Sequence, residues 1–175
     1  MRPVKQGALD ALCGVYAVVN ALEMVGVVGR RSLLHRDLFS KLILALPAHQ
    51  VGGAVICGVE AQDLMRASRR AFRWLRRTHG VDLCIRAPLA DRRFEETAPF
   101  LDFVRSQAQD WRRAVIVGIE FPGGSHWTVV RAIEGRKLYL RDSGRMTRLD
   151  LNRFDVRRGR YRFLPEDTLV IQRRP

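Results

Sequence analysis

The chain has 175 residues, of which 47% are hydrophobic and 28% are charged. This composition excludes a disordered tail and a collagen-like fibre, and the length suits one core, so we expect residues 1–175 to form a single domain. The net charge of +13 creates a positive field that attracts acidic partners and, non-specifically, nucleic acid. Since no helix-turn-helix, RNA-binding or zinc-finger signature accompanies the charge, we do not expect a specific nucleic-acid partner.

The first half of the chain predicts four helices. Residues 11–25 are apolar almost all round, which is typical of a helix buried in the middle of a domain, and Asp10 is its predicted N-cap. Apolar residues at helical spacing, with Pro and Gly as stop signals, predict three more helices over residues 33–46, 60–78 and 96–112.

The second half of the chain changes to the pattern of β-strands. Short segments rich in Val, Ile and Tyr predict five strands, over residues 114–121, 126–133, 137–142, 161–164 and 168–172. Helices followed by an antiparallel sheet are the α+β pattern, so we expect an α+β fold.

The cysteines and the N-terminal residues set expectations about location and cofactors. Cys13, Cys57 and Cys84 are too few for a disulfide framework and form no metal-ligand motif, so we expect neither a metal nor another cofactor. Cys57 and Cys84 lie in apolar stretches, where inert packing is expected. Without a secretory signal or a long apolar segment, we expect no membrane insertion and a cytoplasmic location, or else export without an N-terminal signal peptide.

Cys13 is a candidate nucleophile because it lies near the start of the first predicted helix. The backbone N–H groups and the dipole at a helix N-terminus stabilise a thiolate, which is the form of cysteine that attacks. The alternative is that Cys13 is a small core residue, since free cysteine is among the most buried residue types.

His126 and Asp142 are candidates for a base and the carboxylate that orients it. A three-residue hairpin loop with Gly135 in the left-handed conformation would pair Ala132 with Arg136 and place His126 opposite Asp142. A two-residue loop would leave the two side chains diagonal but still able to touch. A carboxylate there would hold the imidazole in one tautomer, although a plain turn at the strand end also accounts for Asp142.

Together these residues fill the three roles of thiol-dependent acyl transfer. Cys13 attacks a carbonyl, and His126 protonates the leaving group and then activates water. The developing oxyanion needs hydrogen-bond donors, for which the backbone N–H of Cys13 and the side-chain amide of Gln6 are candidates. The alternative for Gln6 is a polar surface residue.

The motifs at residues 6–22, 126–130 and 140–143 resemble those of the papain-like cysteine peptidase superfamily, particularly the bacteriocin-leader-processing peptidases. The Leu12-Cys13 and His126-Trp127 pairs also resemble the Josephin deubiquitinases. The resemblance implies a papain-like fold, in which a central catalytic helix packs on a C-terminal antiparallel sheet. It also implies thiol hydrolase activity, with Cys13, His126, Asp142 and Gln6 at the matching positions.

Three functions are compatible with these residues. The first is a cysteine peptidase or isopeptidase acting on a protein or peptide substrate. The second is a glutamine deamidase or acyltransferase that uses the same residues with a different acceptor. The third is a non-catalytic module that binds acidic partners through arginine-rich faces, in the third predicted helix and around residues 153–162, although such runs usually form a solvated face.

Overall fold

Five helices and a six-stranded antiparallel sheet make up the part of the chain that the computed structural model describes, residues 11–29 and 32–175, without the side chains of 48–50. The helices are α1 (Cys13–Met24), α2 (Leu33–Ala45), α3 (Ala48–Cys57), α4 (Ala61–His79) and α5 (Thr97–Ala108). The strands are β1 (Leu83–Arg86), β2 (Arg113–Phe121), β3 (Gly124–Glu134), β4 (Lys137–Arg141), β5 (Arg148–Asp150) and β6 (Arg162–Arg173). Their order across the sheet is β1-β6-β2-β3-β4-β5, and this architecture confirms the predicted α+β class. Within the described ranges, no helix is both long and apolar enough to cross a bilayer.

Helix α1 is the buried helix that its apolar sequence predicts, since ten of its twelve residues are buried. It begins at Cys13, two residues later than predicted. Its N-cap is Leu12, which makes no side-chain capping bond, so the predicted cap is wrong. Asp10 itself lies outside the described residues. The consequence is that Cys13 occupies the first position of the helix.

Helix α4 is amphipathic over its whole length. Leu64, Ala67, Ala71 and Leu75 are buried on one side, whereas the arginines on the other side are exposed. The helix ends as predicted at Gly80, whose φ of 66° is a left-handed conformation that glycine adopts without strain.

The two faces of the sheet carry two separate cores. Ile116, Trp127 and Val129 face the core that α1, α2 and α4 cover, whereas Val117 and Val130 face the core that α5 covers. Trp127 lies in the core, and its indole N–H donates to the carbonyl of Val59 at 2.9 Å. This bond ties β3 to the connection between α3 and α4.

The hairpin of β3 and β4 has a different register from the predicted one. Glu134 pairs with Lys137, so the loop has two residues, and Ala132 pairs with Tyr139 rather than with Arg136. Gly135 takes the left-handed conformation as expected, with a φ of 55°. A bulge after Val130 then shifts the register again, so that Val129 pairs with Arg141. His126 therefore lies diagonal to Asp142 rather than opposite to it, which is the alternative that a two-residue loop predicted.

Strand β6 is one long strand with a bulge, where the sequence predicted two separate strands. On either side of the bulge, Val117 pairs with Thr168 and Gly118 pairs with Leu164, so residues 165–167 are extra. A Cβ atom on Gly118 would lie 2.6 Å from the Cβ of Asp167, so glycine is needed at this position. The bulge thus places the Asp167 side chain over Gly118 of β2, and Gly118 pairs with Trp127 of β3.

Three short elements were not predicted: α3, β1 and β5. Helix α3 contains Gly52 and Gly53, which are poor helix formers, and it is held by tertiary contacts such as the N–H of Ala11 donating to the carbonyl of Val55 at 2.7 Å. Strands β1 and β5, of four and three residues, are too short for a pattern of alternation to be recognised.

Candidate active site

The first residue of α1, Cys13, lies at the wall of a groove of about 1330 Å³. The residue is only 7% exposed, and it lines this groove together with the His126 ring, whose pKa it helps to raise. The N–H of a residue in the first turn has no acceptor within its own helix, so the backbone of Cys13 can donate to a bound group.

His126 stands between Cys13 and Asp142. Its Nε2–H donates to Oδ1 of Asp142 at 2.6 Å, so Nδ1 is the ring nitrogen left for Cys13. The His126 side chain is 12% exposed and that of Asp142 is fully buried, and the ring lines the groove beside Cys13. Cys13 comes from α1, His126 from β3, and Asp142 from the end of β4.

The environment favours the protonated form of His126. Burial by itself would lower the pKa of His126, but hydrogen bonds to Asp142 and to Cys13, and the charges of both groups, outweigh burial and raise the pKa to about 9. His126 is therefore an imidazolium at neutral pH.

Asp142 is held by its own turn as well as by His126. Its Oδ2 accepts the backbone N–H groups of Gly144 at 2.6 Å and Met146 at 3.2 Å. Burial raises the pKa of Asp142, but the hydrogen bond and the charge of His126 together with the Gly144 N–H lower it below its usual value. Asp142 thus ends the strand in a turn and also binds His126. The two roles that the sequence suggested for it, a turn residue and a partner of the histidine, are compatible.

A buried ion pair between Glu23 and Arg141 fastens α1 to the strand that carries Asp142. The two side chains are 1% and 11% exposed. This pair was not predicted, because its one sign in the sequence is a glutamate at the end of an otherwise apolar helix. Because Arg141 precedes Asp142 directly, the pair couples the position of the helix to that of the carboxylate.

Cys57 and Cys84 fall outside the cluster of Cys13, His126 and Asp142. Gln6, the predicted second oxyanion donor, lies outside the described residues. Cys57 was expected to be packed inertly, but it is exposed and lines the groove at the end of α3, because this short helix leaves one side uncovered. Cys84 is half-buried in β1.

The groove is also lined by charged residues that were not assigned to a site from the sequence. Glu60, Glu166 and Asp167 line the groove, and so do four arginines of α4. Burial and the neighbouring charges of Glu166 and Glu60 raise the pKa of Asp167 to about 6. Among the described residues, no group of His, Cys, Asp and Glu is placed to hold a metal ion.

A comparison with known proteins found no family model that matches this chain and no curated protein of similar sequence. The chemistry of the groove is therefore interpreted from its own geometry and from the motifs of the sequence.

Proposed function

We propose that the protein is a thiol-dependent hydrolase, a cysteine peptidase or isopeptidase, with a papain-like fold. The observation that supports this most strongly is that Cys13 and His126 line one groove and Asp142 binds the histidine, although the three residues come from separate parts of the chain. A cysteine at the first position of a buried helix, packed on an antiparallel sheet that carries the histidine and the aspartate, is also the arrangement that the sequence resemblance implies.

In the proposed reaction, the Cys13 thiolate attacks the carbonyl carbon of a peptide or isopeptide bond. The imidazolium of His126 gives its proton to the leaving amine, and an acyl-enzyme thioester remains. The neutral His126 then takes a proton from water as the water attacks the thioester. The carboxylic acid is released, and Cys13 and His126 return to their first state.

Asp142 acts by orienting His126 and by stabilising its cation, and it breaks no bond itself. The backbone N–H of Cys13 is the proposed first donor to the oxyanion, because it stands at the helix N-terminus beside the attacking sulfur. The assignment of Gln6 as the second donor depends on the sequence resemblance alone.

A thiol-directed electrophile tests this proposal, with the modified cysteine identified by mass spectrometry and peptide mapping. Near neutral pH, we expect Cys13 to react faster than Cys57, although accessibility alone favours the reverse order because Cys57 is the more exposed. His126→Ala should slow the labelling of Cys13. His79→Ala, which removes an exposed histidine of α4, should leave it unchanged and serves as the matched control.

Two results would contradict the proposal. One is faster labelling of Cys57 than of Cys13 in the folded protein, and the other is an equal effect of the two histidine substitutions. Once a substrate is known, the mass of its product separates hydrolysis from transfer to another acceptor.

A further inference from the structure

One side of α4 projects arginines into the same groove that holds Cys13 and His126. They are Arg66, Arg69, Arg70 and Arg73, here called the arginine row. Spacings of three, four and seven residues bring these side chains onto one side of the helix. At 1.5 Å per residue, the row is about 10 Å long, which is the span of about three residues of an extended peptide.

Most of the positive charge in the arginine row is not neutralised within the described residues. Arg66 pairs with Asp63 at 3.3 Å, and Arg70 donates to the carbonyl of Ala45 at 2.9 Å. Arg69 contacts the sulfur of Met65, and neither Arg69 nor Arg73 has an acidic partner in that part of the chain. Both are exposed, so their guanidinium groups are available to bind carboxylates in the two-pronged geometry that arginine favours.

Helix α4 begins next to the residues that follow Cys13 and His126 in the sequence. Leu64 of α4 packs so closely on α1 that a Cβ atom on Gly14 would lie 3.0 Å from Leu64 and 3.2 Å from Trp127. Gly14 follows Cys13, and Trp127 follows His126, so this contact fixes the start of α4 beside the catalytic residues. The arginines that follow Leu64 then lead along the helix away from Cys13.

The rest of the groove favours a peptide over a nucleic acid. Glu60, Glu166 and Asp167 line the same groove as the arginine row, and they would repel a ligand with a negative charge on every unit. A peptide, by contrast, can carry acidic side chains next to the arginines and uncharged side chains elsewhere. It also supplies the acyl carbonyl that a thiolate attacks, which a phosphodiester backbone lacks.

We propose that the arginine row binds acidic side chains of the substrate, so that the enzyme selects peptides with Asp or Glu a few residues to one side of the cleaved bond. This inference rests on the proposed function, since it names the substrate class of the same site. It assigns to one side of α4 the role of a specificity surface.

Cleavage of a proteome-derived peptide library, with the cut sites mapped by mass spectrometry, tests the inference. For the unmodified protein, we expect Asp and Glu to be enriched within about six residues of the cut on one side. The double variant Arg69→Glu and Arg73→Glu should lose that enrichment and cleave acidic peptides about tenfold more slowly. Arg76→Glu with Arg77→Glu makes the same charge change on the same helix outside the groove, and it should behave like the unmodified protein.

Labelling of Cys13 in every variant separates this inference from the proposed function. If cleavage and labelling are normal but acidic residues are not enriched, or if both double variants lose the same activity, the inference is wrong and the hydrolase remains. If Cys13 is not selectively labelled and no peptide is cut, the proposed function is wrong.

A binding measurement keeps the inference testable without catalysis. A fluorescent Glu-rich peptide should bind the Cys13→Ala protein in a salt-sensitive manner, and the Arg69→Glu, Arg73→Glu double change should weaken binding about tenfold. Absence of binding would overturn the inference. Tighter binding of a single-stranded oligonucleotide through the same arginines would overturn it in favour of a nucleic-acid partner.

Discussion

The two walls of the groove use charge in opposite ways. At and behind the wall that carries Cys13, the charges are buried and paired, as His126 with Asp142 and Glu23 with Arg141. On the α4 wall, the arginines are exposed, and Arg69 and Arg73 have no acidic partner within the described residues. Buried pairs hold atoms in one geometry because separating them leaves an uncompensated charge, whereas exposed charges cost little to rearrange. The first arrangement suits bond breaking, and the second suits recognition of a flexible ligand.

The largest effect should come from the two residues that, in the proposed reaction, exchange protons and bonds with the substrate. Cys13→Ala and His126→Ala should each lower turnover of a cleaved peptide by about 10³-fold or more, because the acyl-enzyme no longer forms. Turnover should be measured beside thermal unfolding, to separate lost chemistry from lost structure. A folded variant of either kind that kept a tenth of the activity would remove that residue from the mechanism.

Replacing the buried partner of the histidine should have a smaller effect with a distinctive pH dependence. Asp142→Asn removes the hydrogen-bonded carboxylate that holds the pKa of His126 at about 9, so that pKa should fall. Activity should drop by about 10²–10⁴-fold, and the decline of the rate on the alkaline side should move to lower pH. A pH–rate profile checks this, and an unchanged alkaline limb would contradict the assigned role of Asp142.

Removing one buried charge and one exposed charge should change the free energy of unfolding by different amounts. Glu23→Gln leaves the Arg141 guanidinium buried without a counter-charge and should lower the free energy of unfolding by about 3 kcal/mol. Arg69→Gln removes an exposed charge and should change it by less than about 0.5 kcal/mol. Denaturant unfolding of both variants tests this contrast. Equal changes in the free energy of unfolding would show that the buried pair matters no more than the exposed arginine.

A small stabilising effect should come from replacing Asp167, the carboxylate that lies on the sheet at the bulge of β6. Its pKa of about 6 lies above its usual value of 3.8, so above pH 6 the folded state carries a charge that its surroundings disfavour. After allowance for solvent screening, Asp167→Asn should stabilise the fold by about 1 kcal/mol at pH 7. The gain in stability should fade as the pH falls from 6 to 4. In this range Asp167 of the folded protein takes up a proton, so the disfavoured charge disappears without the substitution. Denaturant unfolding at pH 7 and pH 4 measures this gain in stability. A gain that is larger at pH 4 than at pH 7 would contradict the prediction.

Sequence periodicity predicted the long helices well and the short elements poorly. Helices α1 and α4 were recognised because each has many apolar residues at positions that its own geometry brings to a core. The register of β3 and β4 was predicted wrongly because the loop has two residues where three were expected, and because the bulge after Val130 leaves no mark in the pattern of residue types. His126 and Asp142 still meet, since diagonal neighbours on one sheet face remain within reach.

The sequence by itself determined which residues are able to react and which elements carry them, because residue chemistry and helical or strand periodicity are local properties. Tertiary packing decided which of these residues meet. No local interaction brings Cys13 to His126; the burial of α1 against the sheet does so, with Trp127 bonded to Val59 and Glu23 paired with Arg141. The same packing turned the arginine side of α4 into a wall of the groove, because burying Leu64 on the opposite side of the helix fixes which way the arginines point.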